Sequence, residues 1–435
     1  MLLYASLILL FLGFSVLVNT SKPLLFHLRS AAISFVGGLV VYHLINLGDS
    51  GLSWLPILVA AGLFGFTVVG SWLHRDYEPS KLEGQKVGVV IPSYNEDAEM
   101  LAQCLESLLI QSRLPDVIYV IYVIDDGSTS WDCYKTAVAI KVGHDEGWRI
   151  RIIRQLNAGK RHAQKKAFEE YPADVWITVD SDTKLRPSSI ENLLGPFEDP
   201  EVGAVAGRLH GYNWNKNWLT RVVDIEFTGS FITGRASSSV IGSVVVTCGG
   251  LAAYRGDVIM DNLDDYLHET FLGYPVKAGD DRRLTQYALR DYGRAVYQDS
   301  AMAWTLLPER WSHLIRQRVR WSASWYRGTA WCLRNLSIKQ PAWWLVFFQG
   351  VAFMVFTFSL PFIIWKSAFI GIGLLIFYTA WSMMLSVVRA AKLLTVERED
   401  MSTRQIVYSI LLSPLVSILY FFVLNPLRWY SLLKV

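Results

Sequence analysis

The chain has 435 residues, 52% of them apolar, with a mean hydropathy of +0.28 and its charged residues crowded into the middle. That distribution excludes a wholly soluble protein and predicts a membrane protein with a soluble insert. A net charge of only +3 gives no ground for nucleic acid as a partner, and four cysteines without CxxC spacing support neither a zinc site nor a disulfide framework.

Three apolar stretches open the chain: Met1–Val18, which lacks the basic start of a secretory signal, about Ala31–Leu47, and Trp54–Trp72. Each is close to the ~20 residues that cross a bilayer as a helix. Lys22 and Arg29 lie between the first two, whereas the next connection carries Asp49 and no base. The positive-inside rule then places residues 19–30, and everything after His74-Arg75, in the cytoplasm.

From Arg75 to Pro341 short apolar runs alternate with amphipathic ones, the pattern of βαβ units on a mostly parallel sheet. A strand at Val87–Ile91 runs into Pro92-Ser93-Tyr94-Asn95-Glu96-Asp97, a helix follows at Ala98–Gln111, and a strand at Val117–Ile124 closes in Asp125-Asp126-Gly127-Ser128. Tyr94 suits stacking on a planar base, and Asp125 or Asp126 suits accepting a hydrogen bond from a uracil N–H or a ribose hydroxyl. Taken alone, each loop also reads as ordinary turn chemistry. After a strand at Ile150–Arg154, Gly159 allows close approach of an anion, and Lys160 and Arg161 at a helix start would neutralise a diphosphate. No GxxxxGK[ST] loop is present.

The apolar run Val175-Trp176-Ile177 then ends in Thr178-Val179-Asp180-Ser181-Asp182-Thr183. Ligands of open α/β sheets bind at the carboxyl ends of strands, so Asp180 and Asp182 are placed where chemistry is possible. Two carboxylates one residue apart repel each other, and a divalent ion shared with nucleotide phosphates relieves that repulsion. Further on, Val244–Thr247 reads as a strand into Cys248-Gly249-Gly250, a glycine pair suited to a backbone lying against a sugar, with Cys248 itself a small packing residue. Gly279-Asp280-Asp281-Arg282 opens an amphipathic helix, Arg283–Arg290. An acid at that position stays ionised and suits a general base for a sugar hydroxyl, or serves as a plain N-cap. In the tryptophan-rich stretch Arg316–Trp321, Arg320 suits a bidentate grip on a diphosphate, and the same helix also fits the membrane interface. Trp214, Trp218 and Arg221 mark an earlier helix of that kind.

Three more apolar stretches follow, at about Trp343–Trp365, Ala368–Val388 and Ile406–Leu427, and the basic connection Arg389–Gln405 is expected in the cytoplasm. Alternation puts the last residues outside, while Arg428 and Lys434 argue for inside. Pro414 and Pro426 predict a kinked or re-entrant last segment.

Together the runs IPSYNEDAE, IDDGS, GKRHAQ, TVDSDT, TFLGYPVKAGDDRRLT and QxxRW (Gln317, Arg320, Trp321) resemble the processive family 2 glycosyltransferases, the bacterial hyaluronan synthases among them. The likeness spans roughly residues 85–330 and returns in the last apolar stretch. It implies an α/β nucleotide-sugar-binding domain of GT-A type inserted between transmembrane helices. The implied units are 1–74 (membrane), 75–310 (cytosolic catalytic domain), 311–342 (interface helices) and 343–435 (membrane).

Carried over by residue, the resemblance implies that Tyr94, Glu96 and Asp125 or Asp126 hold uridine and that Lys160, with Arg161, holds the diphosphate. Asp180 and Asp182 bind Mn2+ or Mg2+, and Asp281 is the catalytic base with Asp280 beside it. Gln317 and Arg320 line the diphosphate and acceptor site, Trp321 stacks on the acceptor sugar, and Cys248 counts among the substrate-binding residues. It implies an inverting, metal-dependent synthase of the plasma membrane that polymerises a β-linked polysaccharide from UDP-sugars. Hyaluronan from UDP-GlcNAc and UDP-GlcA is the first reading, with the growing chain as acceptor, membrane lipid as surroundings and oligomeric state open. A chitin-like product, a lipid-carrier glycosyltransferase, and a transporter or receptor with a nucleotide-sensing insert are the alternatives. Two departures from the family pattern are the lack of a Trp-Gly-Thr-Arg segment, which bears on gating, and Cys248-Gly249-Gly250 in place of Cys-Ser-Gly-Pro, which bears on sugar identity.

Overall fold

The computed structural model describes residues 55–80, 84–111, 118–353 and 373–432. Ten strands are formed in the central region: β1 (Lys86–Ser93), β2 (Ile118–Asp125), β3 (Ile150–Arg154), β4 (Val175–Thr178), β5 (Lys184–Leu185), β6 (Val202–Gly211), β7 (Ala252–Arg255), β8 (Thr270–Phe271), β9 (Tyr274–Pro275) and β10 (Arg294–Thr305). Eight of them make one sheet in the order β3-β2-β1-β4-β7-β6-β10-β5, and β8 with β9 forms a separate hairpin. The first four pair in parallel, β7 runs antiparallel to both β4 and β6, and β5 runs antiparallel to β10. The sheet is therefore mixed rather than simply parallel. β4 and β6 are buried on both faces, which explains the apolar runs Val175–Ile177 and Val202–Gly207, while Arg208 and His210 further along β6 are met by Asp299 and Thr228.

Register decides where the site falls. Ser93 lies opposite Asp125, and Val90 opposite Thr178, so the loops after β1, β2 and β4 leave the sheet along one edge. The helices that matter for the site are α1 (Leu55–Leu73), α2 (Ala98–Leu109), α3 (Lys160–Glu170), α4 (Trp218–Gly229), α5 (Asp280–Asp291) and α6 (Trp311–Asn335). α2 starts where expected because Asp97 caps it, its Oδ1 accepting from the Glu99 and Met100 N–H groups at 2.8 and 3.1 Å. On the sheet, Trp176 is fully buried between Phe168 and Tyr122, with ring centroids at 4.9 and 6.0 Å.

One expected strand is not formed. Val244–Thr247 runs as extended loop: the Val244 N–H donates to the Ala295 carbonyl on β10 at 3.0 Å, but beyond it the backbone groups are met by side chains, Arg235 donating to the Val246 and Thr247 carbonyls at 3.0 and 2.7 Å. The Thr247 N–H donates to Thr285 Oγ1 at 3.1 Å, and the Thr247 hydroxyl meets Tyr254 Oη at 2.6 Å.

Of the expected membrane segments, Met1–Val18 and Ala31–Leu47 lie outside the described residues. α1 matches the third. α7 (Pro341–Phe353) and α8 (Gly373–Ala390) cover the described parts of the next two. Among the described residues one helical run, Thr403–Ser431, is long and apolar enough to cross a membrane, at 29 residues and a mean hydropathy of 2.2. It stays helical past both prolines. Pro414 falls at the start of a new helical segment after Ser413, where its missing N–H costs little, and a π-turn at Tyr420–Leu424 precedes Pro426.

Between α8 and that run, residues 396–400 are strapped to the back of the sheet. Buried Arg398 reaches Asp224 on α4 at 3.1 Å and Asp400 at 2.8 Å, while Arg186 reaches Glu397 and Glu399, both at 2.9 Å. Arg208 donates to the Glu397 carbonyl at 3.0 Å. Arg398→Ala strands the buried Asp224 carboxylate, so it should cost about 3–5 kcal/mol, with part regained on adding Asp224→Asn. Thermal unfolding of the single and double variants measures both effects.

Candidate active site at the sheet edge

The loops after β1 and β2 are tied together. Asn95, at φ 52°, receives the Thr129 N–H on its side-chain oxygen at 2.8 Å, and its own N–H donates to Ser128 Oγ at 2.9 Å. Asp125 ends β2, accepts the Ser128 N–H at 2.9 Å and pairs with Arg154 at 3.0 Å. Asp126 accepts from Gln155 Nε2 (2.7 Å) and from the Ala158 and Gly159 N–H groups (3.0 and 2.8 Å). These bonds commit both carboxylates to shaping the loop that leads into α3. The aromatic faces left open at this end are Tyr94 and Trp131, about half exposed at 48% and 51%. Trp131 was not among the residues singled out from the sequence. Arg154 lies 3.7 Å over its ring, so this is a second flat surface beside the loop.

α3 begins at Lys160, and the centre of the site is its ammonium. Nζ lies 2.7 Å from Asp180 Oδ1, past β4, and 3.1 Å from Asp280 Oδ2, at the start of α5. Two loops separated by a hundred residues of sequence thereby share one cation. Burial works against the charge on Lys160, but Asp180 and Asp280 outweigh it and hold the amine well above its usual range. The same contact holds Asp280 below the ordinary carboxylate range despite its burial. Its neighbour goes the other way: burial, then repulsion from Asp280, raises the Asp281 carboxyl. Adjacent acids driven apart in this way form a fixed anion beside a group ready to take a proton.

Asp182 accepts from Thr305 Oγ1, at the end of β10, at 3.2 Å. Burial and the nearby Asp180 push its carboxyl up to about 6. Glu96 is raised to about 7 by partial burial and by Asp182 and Asp180. This corner has more negative charge than Lys160 neutralises. Its donors are hard oxygens, which fit Mg2+ or Mn2+. Among the described residues no group of three or more His, Cys, Asp or Glu side chains is arranged to hold a metal, so a cation there would need further ligands from a substrate.

Gly249 lies against this centre: a Cβ at that position would be 3.1 Å from Lys160 Nζ and 3.2 Å from Asp180 Oδ2. Cys248 is half-buried, and burial pushes its thiol up to about 12, as befits a packing residue. Arg161 turns away from Lys160. It is buried, pairs with Glu269 at 2.6 Å and donates to the Tyr266 carbonyl at 2.6 Å, so its guanidinium is not at the diphosphate position expected for it.

α6 crosses the start of α5. Gly279 has φ 98°, and a Cβ on it would meet Ser324 Oγ at 2.3 Å, so only glycine allows this approach. Gln317, Arg320 and Trp321 occupy one face of α6, one turn before Ser324. Arg320 is exposed and has no carboxylate partner among the described residues. Trp321 stacks on Phe227 of α4 at 6.4 Å, with the Arg318 guanidinium 4.7 Å over its ring. Arg318 is itself held by Glu226 at 3.0 Å, a pair that Tyr420 joins at 2.7 Å.

A mixed sheet of this order, with an Asp-x-Asp loop, a lysine and a second acid pair meeting at its edge, defines a glycosyltransferase of GT-A fold. A mannosyltransferase of Pyrobaculum calidifontis, solved with GDP-Man and Mn2+, shares that fold with a TM-score of 0.57 at 17% identity, over 87% of this chain and 97% of its own. Models of glycosyl transferase family 2 and glycosyl transferase family group 2 match residues 88–263 and 176–424. The chain is 37% identical over 411 residues to hyaluronan synthase of Streptococcus pyogenes, spanning 92% of this chain and 93% of that one. An N-acetylglucosaminyltransferase of Azorhizobium caulinodans is 37% identical over 255 residues, 58% of this chain and 63% of its own. The chain belongs to glycosyltransferase family 2 and, within it, to the hyaluronan synthase family.

The crowding of acids is directly measurable. Asp182→Asn removes a negative neighbour and makes Glu96 easier to ionise, so the Glu96 midpoint should fall from about 7 toward the usual carboxylate range. Carboxyl 13C NMR of glutamate-labelled protein reads this shift, and an unmoved midpoint contradicts the arrangement.

Proposed function

We propose that this chain is a processive synthase that builds hyaluronan from UDP-GlcNAc and UDP-GlcA and passes it across the plasma membrane. The catalytic domain is cytosolic and the apolar segments at both ends of the chain span the bilayer. The observation that carries the reading is the Lys160 bridge, since it joins the Asp180–Asp182 loop and the Asp280–Asp281 helix start at one point.

In this reading Asp182, with Asp180, holds Mn2+ or Mg2+, which supplies positive charge against the departing diphosphate. Lys160 and Arg320 add their charges on the protein side. Tyr94 and Trp131 flank the base, while Asp125 and Asp126 act through the loop they shape. Asp281 takes the proton from the acceptor hydroxyl as that oxygen attacks the anomeric carbon. Bond making and bond breaking on opposite faces invert the configuration. Asp280, kept ionised by Lys160, holds up the proton affinity of Asp281. Gln317 and Trp321 seat the acceptor sugar, Trp321 by stacking.

Asp281→Asn should lower UDP release about 10²- to 10⁴-fold while leaving UDP binding intact, as loss of a general base does. The cation must bind an ionised Asp182, so Mn2+ affinity in the presence of UDP should fall about tenfold per pH unit below about 6. Calorimetric titration at several pH values checks this. The product is tested with purified protein in lipid, Mn2+, and UDP-GlcNAc and UDP-GlcA singly and together. Polymer only with both donors supports hyaluronan. Polymer from UDP-GlcNAc alone favours a chitin-like product, the reading nearest to the N-acetylglucosaminyltransferase relative. UDP release without polymer favours a lipid-carrier enzyme.

A further inference from the structure

Buried arginines in this protein come with an acid. Arg149, Arg161, Arg208, Arg283 and Arg398 each lie within salt-bridge distance of a carboxylate. Arg235, Arg282 and Arg327 are half-buried and, like Arg255 and Arg428, have no ion-pair partner among the described residues; what sets these three apart is their position. All three surround the corner where Gly279–Asp281 turns into α5.

Arg235 donates to the Val246 and Thr247 carbonyls (3.0 and 2.7 Å) and to Ser230 Oγ (3.2 Å), in the loop that Thr247 ties to α5. Arg327 donates to the Ala278 carbonyl at 3.2 Å. Arg282 follows Asp281 directly, and its Cδ lies 2.4 Å from where a Cβ on Gly328 would sit. Its Nε is buried with no hydrogen-bond partner. Burial holds all three guanidinium groups below the usual arginine range, and at Arg282 the charges of Arg235 and Arg327 add to it. Asp281 is the one carboxylate that acts on both Arg235 and Arg282, and its Oδ1 already accepts the Arg282 backbone N–H at 2.8 Å.

Three guanidinium groups thus gather around this corner, and Asp281 is the carboxylate that acts on two of them. Gln317, Trp321, Ser324 and Gly328 recur at helical spacing along α6, so the face with the acceptor residues continues to Arg282. An arginine fork is matched by a planar carboxylate, which it grips with two parallel hydrogen bonds. We propose that Arg235, Arg282 and Arg327 form a subsite for the carboxylate of a uronic-acid sugar beside Asp281. This subsite rests on the hyaluronan reading above and makes it more specific: the enzyme recognises its acidic sugar by charge, at the point where the acceptor is deprotonated. The carboxylate arrives either on the UDP-sugar donor or on the last sugar of the growing chain.

The test uses the full chain in lipid nanodiscs. UDP-glucuronate and UDP-glucose differ only in a carboxylate against a hydroxymethyl group, and calorimetric titration of each reads the donor route. The wild type should prefer UDP-glucuronate roughly tenfold, the scale of one charge-assisted hydrogen bond. Arg282→Gln should abolish that preference and Arg327→Gln should reduce it. UDP-glucose affinity should stay within about twofold in both variants, which also shows that each is folded. A second arm reads the acceptor route, as the stimulation of UDP release from UDP-GlcNAc by free glucuronate compared with glucose. Selectivity for the acid in either arm that Arg282→Gln removes supports the subsite. Equal behaviour of acidic and neutral sugars in both arms, or selectivity that survives both variants, overturns it. Lack of polymer when both donors are supplied would overturn the hyaluronan reading alone, because the binding arm does not depend on polymerisation.

Discussion

The structure of the site depends on one ammonium group held between two carboxylates from distant parts of the chain. Without Lys160, Asp180 would face Asp182, and Asp280 would face Asp281, with no positive charge between the pairs. Like charges at such distances in a partly buried cleft repel strongly. The lysine removes part of that repulsion and fixes where the remainder falls. The ammonium holds Asp280 below the ordinary carboxylate range, while burial and neighbouring acids outweigh it at Asp281 and Glu96, and burial with Asp180 raises Asp182. One fixed anion, Asp280, thus sits among three acids, Asp182, Asp281 and Glu96, that take up a proton more readily than usual.

The rest of the fold keeps that contact in place. Parallel pairing of β1, β2 and β4 brings three loop starts to one edge, and Gly279 lets α6 lie close over the start of α5. Behind the sheet, the strap around Arg398 ties the connection between the apolar helices to α4, β5 and β6. α4 also carries Glu226 and Phe227, which support Arg318 and Trp321. The segment that leads into the last apolar run is therefore joined mechanically to the helix that supports Trp321.

Much of this was legible in the sequence. β1, β2, β3 and β4 follow from apolar runs that end in polar loops, and α2 and α5 from acids at their starts. The convergence of the polar loops followed from their shared position after strands. What stayed hidden was direction and partnership. Arg161 has the right charge and position for a diphosphate, but it faces the side of α3 where Glu269 waits more than a hundred residues later. Asp125 and Asp126 were expected to meet a nucleoside, but the sequence did not show that Asp125 bonds Ser128 and Arg154 and that Asp126 bonds the loop before α3. The antiparallel β7 and the run Val244–Thr247 were not separable by composition, since both are short, and the β-branched run Val244–Thr247 reads as the better strand of the two. Their fates depend on whether a strand or side chains such as Arg235 and Thr285 meet their backbone groups. Trp131 and Thr305 carried no local motif at all, although an exposed tryptophan six residues after Asp125 was a fair signal for a stacking surface.

The account stands on Lys160 joining the two acid pairs, and titration of Asp280 tests that most directly. With aspartate-labelled protein, carboxyl 13C NMR follows Asp280 in the wild type and in Lys160→Met. The account predicts an Asp280 midpoint below the ordinary carboxylate range in the wild type and a clear rise once the ammonium is gone. A midpoint that is ordinary in the wild type, or unchanged in the variant, would mean that the two loops do not share this charge and do not form one site.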